Sequence, residues 1–144
     1  VRGATVYTLS ERATDEQARR MAEKENASDQ IAGLDGVDSA AGDQVRDILF
    51  DLMRRETSNF SANFSGLLVS KLSKSIVMSR APKRSAAFKV LKQAHAPSVL
   101  VELGYMSNSK DQSEMSTSGW QLKVARAIAG AVESYFTKRM AIEP

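Results

Sequence analysis

Glu102 is the residue whose type and place most directly suggest chemistry. It closes the run Pro97-Ser-Val-Leu-Val101, a dense apolar and β-branched stretch of buried-strand type. An ionised carboxylate is costly to desolvate, so at the end of a buried strand it is expected to be paired or bound to a metal. Ligand clefts in α/β proteins also form at the carboxyl ends of strands. Glu102 is therefore a candidate for proton transfer or ligand binding, and an exposed glutamate in a turn is the alternative. Glu25 is the second candidate. At about 100° per residue, Ala18, Met21, Ala22, Glu25, Asp29 and Ala32 share one helical face, whereas Glu23 points roughly opposite. A carboxylate on the inward side calls for a cation; a rim carboxylate is the plainer reading. His95 is the only histidine and sits in a Lys-Gln-Ala-His-Ala-Pro turn, where a surface role is expected. One imidazole cannot build a zinc site that needs three protein ligands. Cysteine is absent, which removes thiolate nucleophiles, disulfides and Cys-based metal sites together.

These residues need elements to hold them. Val1 to Leu9 alternates in a strand-like way, and Thr14 with Gln17 predicts a capping box opening a helix that runs to about Ile31. Gly33 to Gly42 reads as a loop. Asp43 is expected to cap a long second helix with a continuous buried stripe. That stripe comprises Val45, Ile48, Leu49, Leu52, Met53, Phe60, Phe64, Leu67, Leu68, Leu72 and Ile76, with a possible bend at Arg54 to Asn59. Pro82 ends any helical reading, and Ser85 to Leu91 is read as a short strand or turn. The Pro97 run is the second strand, and Trp120, Val124, Ile128, Ala131, Tyr135 and Phe136 predict a closing amphipathic helix. A strand at each end of a helical middle points to an α/β fold, with too few strands for a full sheet.

The 144 residues suit one domain, and their composition, 42% hydrophobic and 26% charged, is that of an ordinary globular chain. No apolar run reaches the roughly 20 residues that a bilayer span needs. The net charge of +3 leans basic only between Lys71 and Lys92, without the concentrated, aromatic-laced face of a nucleic-acid reader.

The run PSVLVELGYMSN, Pro97 to Asn108, resembles the signature of the zinc-dependent N-acetylmuramoyl-L-alanine amidases: a buried strand leading to Glu, Gly, an aromatic and Ser-Asn. Glu102, Gly104, Tyr105 and Ser107-Asn108 fall on those positions. The opening run RGATVYTLSERATDEQARRMAEKEN is similar to the Arg-Gly strand and following helix of the same family. The resemblance implies an amidase-like sheet flanked by helices, here without its N-terminal part and with a long helical insertion in the middle. It implies that Glu102 is the general base and acid beside a Zn2+-bound water. The family's His, Glu and His ligands all precede the strand that opens this chain, so the zinc-binding half is expected to lie outside it and the chain alone to be inactive. In the cell-division subfamily a helical segment blocks the site and places a glutamate on the zinc. Glu25, supported by Asp29, is the expected inhibitory metal ligand, within an autoinhibitory segment at about 14–76.

The function so implied is cleavage of the amide between N-acetylmuramic acid and L-alanine of peptidoglycan, in the periplasm, during daughter-cell separation. An activator protein is the implied partner, with Asp43 to Ile76 as its docking candidate. Two other readings stand beside this one. A non-catalytic interaction module would use the long helix but leaves Glu102 without a reason. A nucleic-acid binder would use Lys71, Lys74, Arg80, Lys83 and Arg84 and show steeply salt-dependent affinity.

Overall fold

Strand β1 (Ala4–Leu9) is buried on both faces over its first four residues, and a hydrophobic core lies against each face. In the computed structural model, which describes residues 1–33, 44–92 and 95–141, β1 is the middle of a three-stranded sheet. Strand β2 (Met78–Ala86) pairs with it in parallel and β3 (Leu100–Glu102) antiparallel. Because side chains alternate along a strand, Val6 and Tyr7 feed different cores. Val6 meets Leu68 and Leu72 of helix α2 (Gln44–Ser73) and Val124, Ala127 and Ala131 of helix α4 (Ser118–Met140). Tyr7 meets Ala18 and Ala22 of helix α1 (Glu16–Ile31), with Ala86, Phe88 and Leu91. The result is a helix–sheet–helix sandwich, the α/β arrangement expected.

The sheet has one more strand than expected. β2 occupies part of what reads as the helical middle, and Pro82 lies inside it rather than at a boundary. Its register slips between Ala4↔Met78 and Val6↔Lys83. Pro82 falls in that irregular stretch of a strand that is at the edge among the described residues, where proline's missing N–H is tolerated. The strand expected from Ser98 is short, only Leu100–Glu102.

α1 begins with a different cap from the one expected. Asp15, not Thr14, accepts the Ala18 amide at 2.8 Å. Thr14 is drawn away by Ser85, whose amide donates to its hydroxyl at 2.6 Å. The small side chains of Ala18 and Ala22 let the helix lie close on the sheet. Asn26 then fastens its later turns, donating to the Ala87 carbonyl at 2.9 Å and accepting the Lys89 amide at 2.8 Å.

The expected continuous stripe of α2 is only half buried. The helix runs unbroken for 30 residues, through the polar stretch Arg54 to Asn59. At 1.5 Å per residue it is roughly 45 Å long, more than the small sheet can cover. Leu68 and Leu72 are sealed, whereas Val45, Ile48, Leu49 and Leu52 are each more than half exposed. The expected cap Asp43 and the loop from Leu34 lie outside the described residues.

This unequal burial sets unequal costs. Leu68→Ala removes a side chain that is 1% exposed and should destabilise the fold by about 2–5 kcal/mol. Leu49→Ala should change stability by less than about 0.5 kcal/mol. Urea unfolding followed by circular dichroism measures both, and similar losses would disprove the assignment of the core to the C-terminal half of α2.

Candidate active site

Glu102 ends β3 on the face covered by α1. Its cross-strand partner is Thr5, and Tyr7, two residues further along β1, is opposite Leu100. Glu102 and Tyr7 are thus diagonal neighbours, a spacing that long and aromatic side chains bridge. The Tyr7 hydroxyl donates to Glu102 Oε2 at 3.0 Å, its ring held against Phe88 at 5.1 Å between centroids. The chain turns after Glu102 and brings back Tyr105, whose hydroxyl donates to the same Oε2 at 2.8 Å. From α1, Gln17 Nε2 donates to the Tyr105 hydroxyl at 2.8 Å.

The donor directions follow from chemistry. An ionised carboxylate only accepts, so each phenol must spend its single proton on Glu102. The Tyr105 oxygen is then an acceptor for the Gln17 amide. Both phenols take Oε2, and Oε1 has no hydrogen-bond partner among the described residues. Burial, followed by the adjacent Glu102 charge, raises Tyr7 well above the ordinary phenol range. Tyr105 is pushed up to about 12, by burial first and then by its hydrogen bond to Glu102 and that group's charge. Both phenols therefore stay protonated at neutral pH and serve as donors.

The turn after Glu102 is built by the rest of the PSVLVELGYMSN run. Asn108 caps helix α3 (Ser109–Met115), its Oδ1 accepting the Lys110 and Asp111 amides at 3.1 Å each. Gly104 packs so tightly on this helix that a Cβ there would lie 3.1 Å from Met115 Sδ and 3.2 Å from Asp111 Oδ2. The glycine and the Ser-Asn pair thus serve the position of Tyr105 and Glu102.

Glu25 is half-buried on α1, on the same side as Ala18 and Ala22, while Glu23 is exposed and paired with Arg19. Asp29 is likewise half-buried. Glu25 lies eight residues beyond Gln17, a rise of roughly 12 Å along the helix, so the structure does not join it to the Glu102 cluster. His95 is exposed, with its ring 6.3 Å from that of Phe50.

Among the described residues no group of three or more His, Cys, Asp or Glu could hold a metal ion. The neighbours of Glu102 are phenols and an amide, not the imidazole, thiolate or carboxylate ligands that zinc takes. The described residues do not by themselves fit a zinc ion. No helix among them is long and apolar enough to cross a membrane.

Sequence reasoning missed Tyr7 and Gln17, reading the first as strand alternation and the second as part of a cap. Only the antiparallel register places Tyr7 beside Glu102.

The family model described as N-acetylmuramoyl-L-alanine amidase matches residues 1–134. The chain is 33% identical to N-acetylmuramoyl-L-alanine amidase AmiA of Salmonella typhimurium over 135 residues, covering 93% of this chain and 46% of the relative. It is also 33% identical to AmiC of Escherichia coli, covering 93% of this chain and 32% of that protein. A probable cell wall amidase, LytH of Staphylococcus saprophyticus, is 30% identical over 92% of this chain and 50% of its own length. The chain thus spans half or less of these relatives.

The shifted phenol gives a pH prediction. Tyr105 holds its proton to about pH 12 when folded, against 10.0 ordinarily, so its contribution to stability is complete below pH 10 and is lost as pH rises towards 12. Ultraviolet titration should show Tyr105, assigned with Tyr105→Phe, ionising late. In Glu102→Gln it should ionise at lower pH, because the charge and the carboxylate acceptor are gone. An unchanged titration in that variant would break the assigned contact.

Proposed function

Because the chain belongs to the N-acetylmuramoyl-L-alanine amidase family, we propose that it carries the proton-transfer half of an enzyme that cleaves the amide between N-acetylmuramic acid and the L-alanine of peptidoglycan. The observation that carries this reading is the half-buried Glu102, fixed through Oε2 by two phenols with Oε1 free among the described residues.

A fixed carboxylate with one free oxygen suits both proton steps of amide hydrolysis. Oε1 takes a proton from the attacking water as its oxygen adds to the lactyl carbonyl. It then delivers that proton to the L-alanine nitrogen as the C–N bond breaks. The products are a muramic-acid carboxylate and a stem peptide with a free amino terminus. Tyr7 and Tyr105 keep the carboxylate oriented and remain protonated throughout. Zinc, which the resemblance implies, needs ligands that the described residues do not supply; we assign them to residues outside this chain, so the chain alone is inactive.

Glu25, with Asp29, is proposed as the inhibitory ligand that occupies the metal until a partner displaces it. The half-buried position of Glu25 on the inner side of α1 supports that reading. Displacement must contend with the buried Ala18 and Ala22 and the two Asn26 hydrogen bonds. The exposed apolar residues of the first half of α2, Val45, Ile48, Leu49 and Leu52, are the proposed docking surface for the activator. They are also the feature that an interaction-module reading rests on. The proposed setting is the periplasm, in daughter-cell separation.

The proposal is tested on purified peptidoglycan with the intact enzyme and its activator. New free L-alanine amino termini are expected; cleavage at sugar–sugar or peptide–peptide bonds instead would overturn it. In the same assay Glu25→Lys should hydrolyse without activator, by removing the blocking carboxylate. Continued dependence on the activator would count against the role of Glu25.

A further inference from the structure

Asp111 is 4% exposed, and a buried carboxylate is unfavourable unless its oxygens are satisfied. Its partners come from opposite ends of the chain. Oδ2 accepts the Gly3 amide at 2.9 Å and the Tyr105 amide at 3.1 Å, while Oδ1 accepts Arg2 Nε at 3.2 Å. Arg2 also donates to the exposed Glu114 at 2.9 Å. One oxygen thus ties the backbone entering β1 to the backbone leaving β3. The Asn108 cap fixes the Asp111 amide, and a Cβ at Gly104 would press on its carboxylate at 3.2 Å.

This tie continues into the site. Tyr105 is held by its amide at Asp111 and by its hydroxyl at Glu102, so the ring is a strut between the two carboxylates. β1 supplies the second phenol, Tyr7, and its entry is held by the same Asp111 oxygen. We infer that Asp111 is a positioning residue for the catalytic carboxylate, setting both phenols that orient Glu102 by accepting the Gly3 and Tyr105 amides. The inference rests on the reading of Glu102 as the proton carrier. The acceptor oxygen, rather than the Arg2 ion pair, does the positioning, because the amides belong to the backbone that carries the phenols.

The contact chemistry separates the variants. Asp111→Ala removes the shared acceptor, whereas Asp111→Asn retains one for the two backbone amides through its amide oxygen and gives up the charge and the acceptor facing the partly exposed Arg2, which can turn to solvent. Arg2→Gln removes the ion pair and leaves both amide contacts. Gly104→Ala keeps Asp111 but inserts a Cβ 3.2 Å from its Oδ2, displacing the strut without removing a partner.

The test uses the intact enzyme with two readouts: the Tyr105 ring-carbon NMR resonance, assigned with Tyr105→Phe, and kcat and KM for peptidoglycan hydrolysis. Asp111→Ala is expected to move the resonance and lower kcat about ten- to a hundredfold at little-changed KM, as for a displaced catalytic group. Asp111→Asn and Arg2→Gln are expected to stay near wild type in both. If Asp111→Ala does not fold, Gly104→Ala decides, with a shifted resonance and reduced kcat expected. A wild-type resonance and kcat in the decisive variant, or an Asp111→Asn protein as impaired as Asp111→Ala, overturns the inference. Glu102→Gln is the separate control. Undiminished hydrolysis there defeats the reading of Glu102, while the resonance of Tyr105 still decides the role of Asp111.

Discussion

Two phenolic protons on one carboxylate oxygen are the constraint around which this chain is organised. A glutamate at the end of a buried strand is stable only if its charge is answered, and here neutral O–H donors answer it at Oε2. A lysine or arginine at that point would neutralise the group, and an arginine fork would engage both oxygens. Phenols stabilise the charge, leave it net negative, and leave Oε1 open. The same burial that makes the site costly keeps both phenols protonated.

The remainder of the fold supplies the positions of those three groups. Tyr7 reaches Glu102 because β1 and β3 run antiparallel in a register that makes them diagonal neighbours. That register is pinned because β1 has a core on each face, so a slip of one residue would exchange Val6 with Tyr7. α1 contributes Gln17 to the cluster and seals the Tyr7 ring beneath Ala18 and Ala22. The first half of α2 takes no part in this framework, which leaves its apolar side free for another role.

Much of this was legible in the sequence, for reasons that differ by residue. β1, α1 and α4 announce themselves by periodicity and the strand before Glu102 by its dense apolar, β-branched run, both of which reflect local burial. Gly104 and Asn108 were visible as parts of a run, and the structure supplies their reasons: close packing against side chains of α3, and a cap for α3. β2 was hidden because Pro82 and its charged neighbours read as a boundary, and only the sheet edge and a register slip accommodate them. The exposed end of α2 was misread because periodicity records an apolar face without saying what covers it. Tyr7 and Asp111 were out of reach, since their partners lie about a hundred residues away and depend on strand register.

In the proposed reaction the carboxylate of Glu102 moves the proton as the muramoyl–L-alanine amide is cleaved. The most direct measurement is the hydrolysis rate of the intact enzyme carrying Glu102→Gln, a variant of the same shape that cannot take up a proton. A fall of about 10²–10⁴-fold in kcat is expected, with the circular dichroism spectrum of the folded protein retained. Hydrolysis at the wild-type rate in that folded variant would contradict this role of Glu102.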